Sequence, residues 1–203
     1  MRSSFLAIVI GLCLAISPGA AQQTNPFAAM RNFSATQIIE TGGRTISAKI
    51  YRSGDKMRMD MEMPNSRAGG MHNIANLATG DAYAVMAGGM CMHMRMNPQM
   101  FNTALLSANG VKLDRVAAGS ETINGHPCKI EDVTATEPGK APVKSKVWEA
   151  QDLHGFPLKL VYQTAGGQVT TVYKDVSLSA PDASLFAQPS NCRDMPMGNP
   201  FAR

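Results

Sequence analysis

Two short runs of alternating methionines are the part of this sequence best suited to a specific chemistry. MRMDMEM spans Met57 to Met63, and MCMHMRM spans Met90 to Met96. A methionine thioether is soft and polarizable, so it adapts to apolar shapes and also binds Cu(I). The runs therefore indicate one of three structures: a packed core, the wall of a cavity for an apolar ligand, or a copper site.

The alternation assigns these methionines to one face of each run. Residues two apart on a β-strand point to the same side of the sheet. Arg58 and Asp60 then lie opposite the first set of methionines, and Cys91 and His93 lie opposite the second. The predicted ligand-lining residues are Met57, Met59, Met61, Met63, Met90, Met92, Met94 and Met96.

A copper site requires three or four of these soft groups to converge on one ion. Alternate residues on one strand are ~6.6–6.8 Å apart, and residues on different strands approach closely only if the strands are adjacent. Other predicted strands separate the two runs, so we expect no high-affinity metal site in the sheet. Weak Cu(I) binding is expected only from soft groups in segments predicted to be mobile: Met71, His72, Cys192, Met195 and Met197.

Motifs for catalysis are scarce. His126 and His154 fall in predicted turns. The sequence has no Gly-x-Ser-x-Gly elbow, phosphate-binding loop, Cys-x-x-Cys pair or metalloprotease helix. We therefore predict a protein that is not an enzyme and needs no cofactor.

The first residues have the features of an export signal. Arg2 precedes the apolar run FLAIVIGLCLAI, which is too short to span a membrane, and small residues follow in SPGAAQQ. We expect cleavage after Ala21, with Ala20 as the alternative. Leu12 precedes Cys13, which argues against a lipoprotein anchor there. The mature chain is expected in the periplasm, without a transmembrane span.

The composition suits one compact domain that does not bind nucleic acid. The 203 residues are 44% hydrophobic and 17% charged. The formal net charge is +4, and loss of Arg2 with the signal lowers it to +3. The Lys and Arg residues are scattered and few aromatic residues lie between them, so no basic, aromatic surface for nucleic acid is predicted.

Turn signals, among them Gly42-Gly43 and Asn124-Gly125, divide the rest of the chain into short alternating segments typical of antiparallel strands. One helix is predicted from Asn97 to Gly110, because Asn97 can cap it, Pro98 suits its first turn and Gly110 can end it. These elements predict an α+β fold, in which a strongly curved antiparallel sheet has this one main helix against its concave face.

Several segments occur in the order found in a known family. They are GDKMRMDMEM after KIYRS, then INGHPCKIEDV, VWEAQDLHGFPLKL and APDASLFAQP. From Phe33 to Pro189 the chain resembles an uncharacterised family of exported bacterial proteins, domain of unknown function 4412, related to the LolA/LolB-type lipoprotein carriers. The resemblance implies a half-barrel whose concave space holds acyl chains. The expected divisions are a signal peptide at 1–21, a flexible segment at 22–32, the half-barrel at 33–189 and an irregular tail at 190–203.

Three cysteines remain after cleavage, and an exported chain favours one disulfide. Spacing alone leaves all three pairings open. The resemblance includes an NG-x-x-C pattern that often lacks a partner, which implies that Cys128 is free and that Cys91 pairs with Cys192. The alternative pairs Cys128 with Cys192.

The leading hypothesis is a periplasmic carrier that binds a lipid or a lipoprotein acyl chain without catalysis. One alternative is an envelope interaction protein with a filled core, in which Phe101, Leu105 and Leu106 of the predicted helix pack on the methionines. The other is a methionine-rich copper-binding protein.

Overall fold

The computed structural model describes residues 30–61, 70–95, 111–139 and 141–194. These residues form twelve strands and one 3-10 turn. The first six strands are β1 Asn32–Thr41, β2 Arg44–Ser53, β3 Lys56–Met61, β4 Met71–Asn76, β5 Asp81–Met86 and β6 Cys91–Arg95. The others are β7 Lys112–Ile123, β8 His126–Thr136, β9 Val143–Ala150, β10 Phe156–Thr164, β11 Gly167–Ser177 and β12 Arg193–Asp194, with the 3-10 turn at Ala183–Phe186 between β11 and β12.

All twelve strands belong to one sheet. Its order is β12-β6-β5-β4-β3-β2-β1-β11-β10-β9-β8-β7. It therefore consists of two antiparallel meanders, β1–β6 and β7–β11, joined where β1 pairs with β11. The short β12 adds to β6 in parallel and covers that edge.

Glycine-containing hairpins connect neighbouring strands where the sequence predicts them. Asn124 and Gly125, between β7 and β8, both have positive φ angles, at 51° and 86°. This is the left-handed conformation that a two-residue hairpin requires at both positions. Gly42 and Gly43 do the same between β1 and β2. The strand meander expected from the turn signals is confirmed.

The predicted α+β class is wrong. The only helical element among the described residues is the 3-10 turn, and the rest of their regular structure is strand. The prediction relied on one capped segment to define the fold class. In the structure, the fold class follows from the cross-strand pairing of many alternating segments. The segment expected to be helical, 97–110, lies outside the described residues.

The hydrophobic core lies where the two meanders meet. Phe156, at the start of β10, is fully buried, and its ring meets those of Phe33 and Tyr173 edge to face at centroid distances of 5.3 and 5.5 Å. Aromatic pairs favour this geometry. Cys128 and Trp148 belong to the same cluster, so β1, β8, β9, β10 and β11 share one core.

The chain after β11 returns across the first meander. Asp182 caps the 3-10 turn, and its carboxylate accepts a hydrogen bond of 2.8 Å from the Ser184 amide. Arg58 of β3 donates to the Leu185 carbonyl at 3.0 Å, and Phe186 is buried. Within the described ranges, no helix has the length and apolar character needed to cross a membrane.

Candidate functional site

The methionines of β3 and β6 lie on one face of the sheet. The pairings from β2 to β6 have no register shift, so the face on which each side chain lies can be followed from strand to strand. Met59 is opposite Asn73, which is opposite Ala84, which is opposite Met92. The face also gains methionines from β4 and β5. We call it the methionine face, and its methionines are Met57, Met59, Met61, Met71, Met86, Met92 and Met94.

Three of these methionines form a continuous cross-strand row. Met61 of β3 is directly opposite Met71 of β4, which is directly opposite Met86 of β5. Side chains at such positions have Cβ atoms about 4.5–5.5 Å apart and contact each other. We expected Met71 in a mobile segment, whereas it is the first residue of β4. Met86 was not among the predicted lining residues, because it is the only methionine of its strand, although its alternation with Ala82 and Ala84 was an available signal.

Five methionines of this face form two groups that differ in what they contact. Met57 and Met59 pack against the core cluster that contains Phe33 and Ile50. Met61, Met71 and Met86 instead line a cavity of about 520 Å³, where β3 and β5 end and β4 begins. All seven methionines are half-buried, which leaves part of each side chain accessible.

The cavity is also lined by charged residues that lie on the sheet face opposite the methionines, so residues of both faces contribute to it at the end of β3. Arg58 forms an ion pair of 2.6 Å with Asp60, which is opposite His72 on the neighbouring strand. Burial, and next the charge of Arg58, lower the pKa of His72, although Asp60 opposes them. The imidazole is therefore neutral near pH 7. The complete lining is Thr36, Ser47, Ala48, Lys49, Arg58, Asp60, Met61, Gly70, Met71, His72, Met86 and Ala87.

Residues 192–194 of the C-terminal tail are attached to β6 through side chains on the sheet face opposite the methionines. Cys91 of β6 forms a disulfide with Cys192, as the resemblance implied, and Cys128 is free and buried. His93 stacks on Tyr83 at a ring-centroid distance of 4.7 Å, and its Nδ1 lies 2.7 Å from an Asp194 oxygen. The tail is thus attached to β6 covalently and by hydrogen bonds.

A second group of charges lies far along the sheet, on β7, β8 and β9. Arg115 donates hydrogen bonds of 2.6 Å to both Glu131 and Glu149. Lys129 pairs with the same two carboxylates at 3.2 and 2.9 Å. The Arg115 and Glu149 side chains are only 7% and 5% exposed. Two cations and two carboxylates therefore balance in a network that joins three strands.

The other predicted site residues are located as follows. Met90 precedes β6 and is 61% exposed, and Met63 and Met96 lie outside the described residues, as do Met195 and Met197. Cys91 and His93 lie opposite the methionines, as the alternation predicted. In the described ranges, no group of three or more His, Cys, Asp or Glu residues is placed to hold a metal ion. That the eight methionines line a ligand site stays a prediction.

Known structures share this fold. An uncharacterized conserved protein from Thermus thermophilus is 11% identical, with a TM-score of 0.55 over 84% of this chain and 93% of that one. MucB, in its complex with MucA(peri), is 15% identical, with a TM-score of 0.50 over 83% of this chain. The chain spans 59% of the length of MucB. The lipoprotein LppX of Mycobacterium tuberculosis is more distant, at 13% identity and a TM-score of 0.48 over 77% of this chain and 91% of that one.

At these identities the likeness concerns the fold alone. That this fold is of the LolA/LolB type stays a prediction. No protein-family model matches the chain, and no curated protein sequence matches it. Membership in the domain of unknown function 4412 therefore stays a prediction. The Cys91–Cys192 disulfide indicates an exported protein, because such bonds persist in oxidising compartments.

Proposed function

We propose that this protein is a periplasmic carrier that binds an apolar group, either a lipid or a lipoprotein acyl chain, on the methionine face. The observation that supports it is the set of seven half-buried methionines on one face of β3–β6, three of them at a cavity of about 520 Å³. This volume is in the range of ligand-binding cavities. Flexible thioether side chains suit apolar ligands of varied shape.

Binding of this kind needs no reaction. The ligand is held by the removal of apolar surface from water, about 25 cal/mol per Å². Lys49 and the Arg58–Asp60 ion pair line the same cavity from the opposite sheet face, which suits the polar end of an amphiphile.

Native mass spectrometry of the protein purified from its own membrane fraction tests the proposal. We expect a co-purifying lipid, and we expect that lipid to displace a fluorescent fatty acid. If no lipid co-purifies and the fluorescent fatty acid does not bind, the carrier function is wrong.

An interaction protein with a filled core is the second candidate. It is favoured by the packing of Met57 and Met59 against the core cluster. In this case, leucine at Met59 and Met92 leaves function intact and changes the free energy of unfolding by less than ~1.5 kcal/mol per substitution. The helix residues Phe101, Leu105 and Leu106, expected to cover the methionines, lie outside the described residues.

A further inference from the structure

The cross-strand row of Met61, Met71 and Met86 has a property that the carrier function does not use. It brings three soft donors of one type together on three adjacent strands. From these registers we infer that the row is a binding site for a soft monovalent metal ion, Cu(I), held by the three thioether sulfurs. The inference does not depend on the carrier function, because it rests only on the three sulfurs and their registers.

A Cu(I) site requires soft groups on adjacent strands, and the strand registers provide this, although the two methionine runs alone do not. The runs on β3 and β6 are separated by β4 and β5, so a site shared between them is not formed. Met71 and Met86 on the intervening strands provide the missing neighbours for Met61. Strands are about 4.8 Å apart, so the outer two methionines of the row are separated by roughly 10 Å, with the third between them.

The side chains can close this distance onto a central ion. Methionine is unbranched and has three rotatable bonds, so Met61 and Met86 can both turn toward Met71. All three line the same cavity and are half-buried, which leaves room for the ion and a route for its entry. Thioethers select Cu(I) over the harder divalent ions, which prefer oxygen or imidazole ligands.

His72 lines the same cavity but lies on the other face of β4, so the three thioethers are the donors that the register brings together. Arg58 is already paired with Asp60, which reduces the charge that a bound cation meets at the cavity. The free thiol of Cys128 is 1% exposed, in the core, and burial raises its pKa, so it stays protonated. A protonated, buried thiol is a poor metal ligand.

The test measures binding of Cu(I) under anaerobic conditions, with a reductant that leaves disulfides intact and a competing Cu(I) chelator. The variant combines Met61→Leu, Met71→Leu and Met86→Leu, which keep the volume and remove the sulfurs. Its matched control combines Met57→Leu, Met92→Leu and Met94→Leu on the same face, where the directly opposite residues are not methionines. We expect one equivalent of Cu(I) in the natural protein and the control, and its loss in the first variant.

A second measurement keeps the inference testable if the first variant fails to fold. The natural protein is labelled with ¹³C at its methionine methyl groups and titrated with Ag(I), a redox-inert soft ion. We expect the methyl signals of Met61, Met71 and Met86 to shift together up to one equivalent. Thioethers carry no titrating proton, so the same shifts are expected at neutral and mildly acid pH.

Three outcomes would overturn the inference. One is that the protein does not compete with the chelator for Cu(I). Another is that the variant without the three sulfurs binds Cu(I) as tightly as the control. The third is that Ag(I) first shifts methionines outside the row, which would place the metal elsewhere on the chain.

Discussion

His93 and Asp194 are joined across the edge of the sheet, with Nδ1 of the imidazole 2.7 Å from the carboxylate. The hydrogen bond that His93 donates to Asp194 raises the pKa of His93 above its ordinary value of 6.5, with Asp81 contributing in the same direction and burial opposing. Asp194 belongs to the short β12, so this pair holds the tail against β6 beside the disulfide.

This pair predicts a pH dependence for attachment of the tail. The pKa of His93 is raised in the folded protein. The contribution of the His93–Asp194 pair to the free energy of unfolding is therefore fully present below the unfolded pKa of 6.5, and it is lost as the pH rises through the folded pKa. NMR titration of the imidazole measures this pKa. In Asp194→Asn we expect the pKa to move down toward 6.5, and in the control Asp175→Asn we expect no change. An unchanged pKa in Asp194→Asn would show that this contact does not form in solution.

The disulfide should account for a large share of the stability. Cys91 and Cys192 are 101 residues apart, and a cross-link over such a loop strongly restricts the unfolded chain. Replacing both by serine is expected to lower the free energy of unfolding by about 2–5 kcal/mol, measured by urea denaturation. Reductant should destabilise the natural protein by a similar amount and leave the double variant unchanged. Equal sensitivity of both proteins to reductant would contradict this.

The buried charge network makes a separate prediction. Arg115→Met removes the cation that serves both Glu131 and Glu149, and we expect a loss of about 3 kcal/mol in unfolding free energy. Lys129 still pairs with Glu149, which keeps the loss at the low end for a broken buried pair. The exposed Arg44→Met is the control and should change stability by less than about 0.5 kcal/mol. A small effect for Arg115→Met would mean that the network is open to water.

The same network should make the free energy of unfolding depend on pH in the acid range. Burial opposes ionisation of Glu131, but hydrogen bonds from Arg115 and Lys129 outweigh it and lower its pKa. Because the pKa of Glu131 is lowered in the folded protein, its contribution to the free energy of unfolding is present above the unfolded pKa of 4.5. This contribution is lost as the pH falls through the folded pKa. Denaturation of Glu131→Gln across this range should therefore show a weaker pH dependence than the natural protein. An identical slope would contradict the prediction.

If the protein is a carrier, a polar side chain on the methionine face should weaken binding of the apolar ligand. Glutamine has a length similar to methionine but places an amide in the binding surface. We expect Met86→Gln to weaken binding of a fluorescent fatty acid about tenfold, which corresponds to ~1.4 kcal/mol of lost apolar contact. Val116→Gln, at a side chain 65% exposed on β7, is the control and should not change affinity. Equal affinities would place the ligand elsewhere.

The sequence predicted the strands well, because alternation and turn residues are local properties. The Asn124-Gly125 hairpin followed directly from two residues that accept positive φ. The pairing of β1 with β11 was not predicted, since it joins Ile38 with Val172 and no local pattern encodes it.

The candidate site was only partly predictable for the same reason. Met57, Met59 and Met61 were visible as a set because they share one strand. Met71 and Met86 join the face through register alone, and register depends on the loops and ladders between strands. The charged network of Arg115 was missed, because its three strands contribute one or two ionised residues each among many surface charges.

The order of the sheet also constrains how the chain assembles. Within each meander, every strand pairs with its neighbour in sequence, so β1–β6 and β7–β11 can each form through short loops. The ladder of β1 with β11 closes a loop of well over a hundred residues, which makes it entropically the most costly pairing and the slowest to form. Until β11 is synthesised and in place, one side of β1 is an unpaired edge, open to mispairing with another chain. The topology therefore requires that the free edge of β1 is protected from mispairing while the chain is synthesised and folds.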